Sequence, residues 1–166
     1  MPHPLFELLG DPKPFLDRVF SYLEQDKVDV SDLFMDHICY RVETMARYKA
    51  LKQSLLALGV CLTDKEVGGR PIATFELSEA FSYRRRSCRL LELPAPKSGR
   101  FYAEGYEHIE FVIPDLQAFA DQYAHLPLGQ KGLAKAINPD LKLTYEAGSV
   151  KFHPYPLDYV IRVLEQ

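Results

Sequence analysis

Two stretches decide how this chain folds: Asp36-His37-Ile38-Cys39-Tyr40-Arg41-Val42 and, 71 residues on, Glu107-His108-Ile109-Glu110-Phe111-Val112-Ile113. Each runs acid, His, Ile, then an aromatic two places later. Side chains along a strand alternate faces, so Ile38, Tyr40 and Val42 share one face and His37, Cys39 and Arg41 the other. In the later stretch Ile109, Phe111 and Ile113 lie opposite His108 and Glu110. Both histidines therefore sit on the face away from the apolar stripe.

The segments after each strand strengthen the match. Residues 44–58 repeat apolar side chains at helical spacing (Met45, Tyr48, Leu51, Leu55, Leu58), and Gly59 is positioned to end the helix. Residues 60–65 and 71–77 read as a hairpin about Gly68-Gly69, and 83–93 as a further strand stopped by Pro94-Ala95-Pro96. After the second strand, Pro114 breaks the chain and Asp115 can cap a helix over 115–125, with Leu116, Phe119, Ala120 and Tyr123 inward. A weak strand over 131–138, a better one over 141–146, a turn at Ala147-Gly148 and a strand over 149–153 complete the pattern. The spacing predicts an α+β chain with two βαβββ halves, 36–96 and 107–156.

Residues 1–35 read as a helical extension packed on the main domain of 36–166. Pro12 and Pro14 suit a first helical turn, and Phe15, Leu16, Val19, Phe20 and Leu23 recur at helical spacing. A short helical turn is expected over 31–34. The tail, 157–166, is open between helix and strand.

Composition is that of an ordinary globular chain: 166 residues, 47% hydrophobic and 26% charged. A net charge of −3 carries no overall basic footprint for nucleic acid or anionic membrane. The run Arg84-Arg85-Arg86 with Arg89 would alternate faces in a strand, which disperses its charge. Three cysteines (Cys39, Cys61, Cys88) without a CxxC pair, and an N-terminus without a charged, then apolar, leader, point to the cytoplasm. No apolar window approaches the roughly 20 residues needed to span a bilayer. A small-molecule ligand is the expected partner, with no nucleic acid or membrane, and the protein a monomer or homodimer.

Pairing the halves about a pseudo-twofold axis would bring His37 and His108 together, and neutral imidazole is a common ligand for divalent metals. Glu92, inside Leu90-Leu91-Glu92-Leu93, is a carboxylate in an apolar strand, where it must pair or bind a cation. Arg89 and Arg100 are its alternative partners. His153 ends the corresponding strand of the second half. His37, Glu92, His108 and His153 make a possible mixed N/O set suited to Zn, Mn, Fe, Ni or Co. Glu110, on the His108 face, is a further ligand or a general base. Arg41, on the His37 face, suits a substrate carboxylate or an acid across the sheet. Tyr102 is placed to border a ligand or simply to pack between the halves; Arg70 is a weaker ligand contact.

Taken together, Asp36-His37-Ile38 with Arg41, Gly69-Arg70-Pro71-Ile72, Glu92-Leu93-Pro94, Arg100-Phe101-Tyr102, Glu107-His108-Ile109-Glu110, Asn138-Pro139 and Lys151-Phe152-His153-Pro154 resemble the vicinal oxygen chelate superfamily. This is the superfamily of glyoxalases, bleomycin-resistance proteins and dioxygenases. More narrowly, the segments resemble its YecM-like group. The resemblance implies a cupped, eight-stranded mixed sheet whose metal grips adjacent substrate oxygens. It further implies a metal-dependent isomerase, lyase or oxygenase acting on a small oxygen-rich metabolite, or a non-catalytic ligand-binding protein on the same fold. One departure is visible: the superfamily's fourth ligand is a glutamate on the last strand. Here that strand offers His153, one position out of step with Glu92, and Glu165 comes twelve residues later.

Overall fold

The computed structural model describes residues 1–166, and the chain divides into two compact units. Met1–Pro12 and His37–Glu107 form the first; Lys13–Asp36 and His108–Gln166 form the second. The N-terminal helices are thus divided, α1 (Pro4–Leu9) belonging to the first unit and α2 (Lys13–Gln25) to the second.

The first unit, which begins within β1 (Phe34–Arg41) at His37, continues with α3 (Met45–Leu55), β2 (Gly59–Val67), β3 (Arg70–Tyr83) and β4 (Arg86–Pro94). The strands lie β2-β3-β4-β1, antiparallel except that β1 pairs parallel with β4. Parallel neighbours need a long crossover, and α3 with the β2–β3 hairpin supplies it. Thr44 caps α3, its hydroxyl accepting the Arg47 N–H, and Tyr48, Leu51 and Leu55 form the buried face. Against α1, Phe6 meets Phe81 edge-on at 6.0 Å, and the Tyr106 hydroxyl donates to the Gly10 carbonyl (2.8 Å).

Two boundaries differ from expectation. Gly59 does not end the helix; it opens β2, where a Cβ would stand 2.2 Å from the Glu76 carbonyl oxygen, so only glycine allows the strands to meet. Tyr83 closes β3 rather than opening the next strand, because Arg84 turns the chain at φ 52°. Arg84 and Arg85 therefore lie in an exposed turn.

The second unit resumes at His108 within β5 (Gly105–Val112) and runs through α4 (Leu116–Gln122), β6 (Leu141–Thr144), β7 (Ser149–His153) and a C-terminal helical segment. Its strands lie β5-β7-β6, with β5 and β7 parallel and β6 and β7 antiparallel. First strand beside last, in parallel, is the arrangement of the first unit again. Asp115 caps α4 by accepting the Ala118 N–H. The core stacks Phe152 between Phe111 (5.9 Å) and Phe119 (4.3 Å), and Phe20 of α2 closes over Phe111 at 6.0 Å.

Seven strands form, not eight, and the second unit lacks the third strand after its helix. The strand expected over 131–138 is instead a 3-10 turn, Lys131–Ala134, and irregular chain. Its Gly, Ala and Lys residues are weak strand formers, and Asn138 sits at φ 53°, off the extended region. Gly132 is fixed against Asp140, whose backbone oxygen would lie 2.8 Å from any Cβ there. Only the isolated bridge Gly129↔Lys142 remains of that ladder. The helical turn expected over 31–34 is a single hydrogen-bonded turn, the Leu33 N–H donating to the Val30 carbonyl (3.1 Å), and Phe34 already belongs to β1. The tail resolves as helix, α5 (Leu157–Tyr159) continuing into a π-turn, Val160–Leu164.

Candidate functional site

Each unit presents a histidine on its first strand with a carboxylate beside it, but by different routes. In the first unit the β1–β4 register sets His37 opposite Leu90 and Cys39 opposite Glu92. Glu92 thus lies two residues along, on the His37 face, and its Oε2 comes to 4.0 Å from His37 Nε2. His37 is 1% exposed. Arg89 does not compete for Glu92, since its guanidinium donates to the Ser78 carbonyl (3.5 Å). The Arg41 guanidinium lies over the Tyr102 ring, 4.8 Å from its centre, a cation–π contact that restrains both. Arg70 donates to the Ala95 carbonyl (3.3 Å).

In the second unit the parallel ladder sets Glu110 opposite Lys151 and Val112 opposite His153. Relative to the strand histidine, Lys151 holds the place that Glu92 holds in the first unit. The carboxylate comes from β5 itself. Glu110 Oε1 lies 3.2 Å from His108 Nε2 and 3.5 Å from Lys151 Nζ, and its Oε2 lies 2.9 Å from His153 Nε2. Asp36 Oδ2 is 3.6 Å from the same His153 nitrogen, and the Asp36 carboxylate also accepts the Leu157 N–H.

The other ring nitrogen of His153 meets Asn138. Asn138 exchanges two bonds with Tyr155, its Oδ1 accepting the Tyr155 N–H (3.0 Å) and its Nδ2 donating to the Tyr155 carbonyl (2.9 Å). That orients the amide, and its second N–H points at His153 Nδ1 (3.2 Å). With Nδ1 accepting, a neutral His153 carries its proton on Nε2, which faces Glu110 and Asp36. His153 Nε2 thus has two carboxylate oxygens nearby, Glu110 Oε2 at 2.9 Å and Asp36 Oδ2 at 3.6 Å.

Local sequence pattern does not mark Asp36, Asn138 or Lys151 as site residues. Strand alternation assigns Asp36 to the Ile38 face, and Asn138 lies in chain expected to be a strand. Lys151 does carry a signal, the face it shares with His153. Glu165, the other possible acid, is exposed after the tail helix.

A family model for the YecM protein matches residues 5–135. The chain belongs to the YecM family. Protein YecM of Escherichia coli (strain K12) is 28% identical over 173 residues, covering 95% of this chain and 92% of that protein. An uncharacterized protein of Haemophilus influenzae is 32% identical over 112 residues, 68% of this chain and 59% of that one. Among solved structures, protein EC4020 is similar with a TM-score of 0.78 at 28% identity, covering 92% of this chain and 88% of that one. Methylmalonyl-CoA epimerase of Streptomyces coelicolor, solved with 2-nitronate-propionyl-CoA, gives 0.54 at 13% identity, over 74% of this chain and 98% of that one. That enzyme is a vicinal oxygen chelate protein, and at this identity the likeness is one of fold. No helix of this YecM-family chain is long and apolar enough to cross a membrane.

Proposed function

We propose that this YecM-family protein is a cytoplasmic, divalent-metal-dependent enzyme acting on a small oxygen-rich metabolite. Candidate ligands are the histidine–carboxylate pairs seen within each unit by itself, His37 with Glu92 and His108 with Glu110. The observation that carries this reading is the recurrence, in each unit, of a buried strand histidine whose Nε2 faces a carboxylate, at 4.0 Å and 3.2 Å. The donor chemistry fits a borderline or hard divalent cation: imidazole nitrogen and carboxylate oxygen, as for Zn, Mn, Fe, Ni or Co. Bound there, such an ion would act as a Lewis acid toward a substrate carbonyl or hydroxyl.

His153, a ligand by sequence expectation, takes a different role in this proposal. Its Nε2 lies 2.9 Å from Glu110 Oε2, while the other oxygen lies 3.2 Å from His108 Nε2, the place of an outer partner that orients a ligand. The same contact is a path for a proton between Glu110 Oε2 and His153 Nε2, so the acid–base function expected of Glu110 resides in the pair. Arg41, restrained by Tyr102, would hold a substrate carboxylate, with Tyr102 and Arg70 as further ligand contacts.

Metal content of the purified protein tests the assignment. The parent should bind about one ion per chain; His37→Ala and His108→Ala should each lose most of it while remaining folded, since a catalytic-type site needs about three protein ligands. His153→Gln should keep the ion but bind it roughly tenfold more weakly, as for a lost outer partner. Full stoichiometry in both alanine variants would defeat the metal site. Loss of the ion in His153→Gln as complete as in His108→Ala would make His153 a ligand instead.

A further inference from the structure

A second site lies in the first unit, past the ends of β1 and β4. A cavity of about 390 Å³ is lined by Arg70 of β3, Lys97 and Arg100 of the turn after β4, and Glu43, Thr44 and Met45 at the start of α3. The turn is closed by the Arg100 N–H to the Lys97 carbonyl (3.2 Å), with Gly99 at φ 73°, and it brings both cations to one wall. Three positive side chains face one carboxylate, yet none of the three forms an ion pair with Glu43 or any other acid. Arg70 is half-buried; one guanidinium nitrogen holds the Ala95 carbonyl, and its buried Nε has no hydrogen-bond partner. Met45, whose first-turn amide has no partner within α3, lines the same cavity and adds positive potential to it.

Three cations gathered beside a single carboxylate repel one another, and a half-buried guanidinium is costly to leave uncompensated. An anion between them relieves both. We propose that this cavity binds the doubly charged oxyanion end of a small ligand, a phosphate group or an equivalent oligocarboxylate, with Arg70 and Arg100 as its principal donors. Planar guanidinium groups suit two-pronged bonding to either kind of oxyanion, and Lys97 adds a point charge. The cavity holds such a group with part of the molecule that carries it. The proposal rests on the charges of this cavity and not on the metal, although it would give Arg70 its place in ligand binding.

Calorimetric titration of the intact protein with inorganic phosphate, pyrophosphate and citrate, in EDTA at low salt, separates the two sites, because EDTA removes any metal that could bind these anions. The parent should bind at least one of the three, more weakly as salt rises. Phosphate or pyrophosphate above citrate would identify the group as phosphate; the reverse order would identify a carboxylate cluster. Arg100→Gln and Lys97→Gln, at exposed positions that leave the fold intact, should each weaken binding, Arg100→Gln by about tenfold. Arg70→Gln should weaken it at least as much, while Lys131→Gln, in the second unit, should not. Absence of binding by the parent at roughly 10 mM anion, or binding unchanged in both Arg100→Gln and Lys97→Gln, would overturn the proposal.

Discussion

Replacing Glu110 by Gln tests the charge arrangement of the second unit while keeping its shape. Glu110 is 8% exposed and meets nitrogens of His108, His153 and Lys151 at 3.2, 2.9 and 3.5 Å. A glutamine keeps an oxygen toward His153 at nearly the same volume, so the main loss is the negative charge facing Lys151. Removing one member of a fully buried pair costs about 3–5 kcal/mol, because the other charge is stranded. The Lys151 side chain is 23% exposed and can turn partly to water, which lowers the expected loss to about 1–3 kcal/mol. Urea unfolding in EDTA, to exclude any metal, measures it. A cycle with Lys151→Gln should recover part of the loss, with a coupling of about 1–2 kcal/mol. A Glu110→Gln protein within about 0.5 kcal/mol of the parent, with no coupling to Lys151, would refute the reasoning.

Gly59→Ala should destabilise by about 2–4 kcal/mol, because a Cβ 2.2 Å from the Glu76 carbonyl must force β2 and β3 apart and disturb their ladder. Chemical unfolding checks this, and a change below about 0.5 kcal/mol would show that the strands open freely there. At Asp64, burial pushes the carboxyl up, but bonds from Lys52 and Tyr48 more than offset it and hold the group below its ordinary 3.8. A lowered folded-state value means a stabilising contribution present above 3.8 and lost as pH falls through the folded value. Lys52→Met should therefore unfold at a higher pH on acid titration followed by circular dichroism, and an unmoved or lowered midpoint would contradict it.

Which residues face which way was legible along the chain, since period-2 and period-3.6 patterns depend only on local backbone geometry. The two strands with His37 and His108, the inward face of α2 and the β2–β3 hairpin all come from that. The fold class came with them, with one strand too many: an apolar pattern over 131–138 does not report the close approach of Gly132 to Asp140 or the left-handed backbone of Asn138.

Partners were a different matter, because they depend on the register of strands distant in sequence. A parallel ladder places Glu92 opposite Cys39 in one unit and Lys151 opposite Glu110 in the other, so equivalent positions carry opposite charges. The acid beside His108 therefore comes from its own strand. The tautomer of His153 depends on an amide held by Tyr155, seventeen residues from Asn138. Local periodicity thus chose the histidines, and long-range register with side-chain hydrogen bonding chose what each one faces, because alternation sets direction but not neighbour.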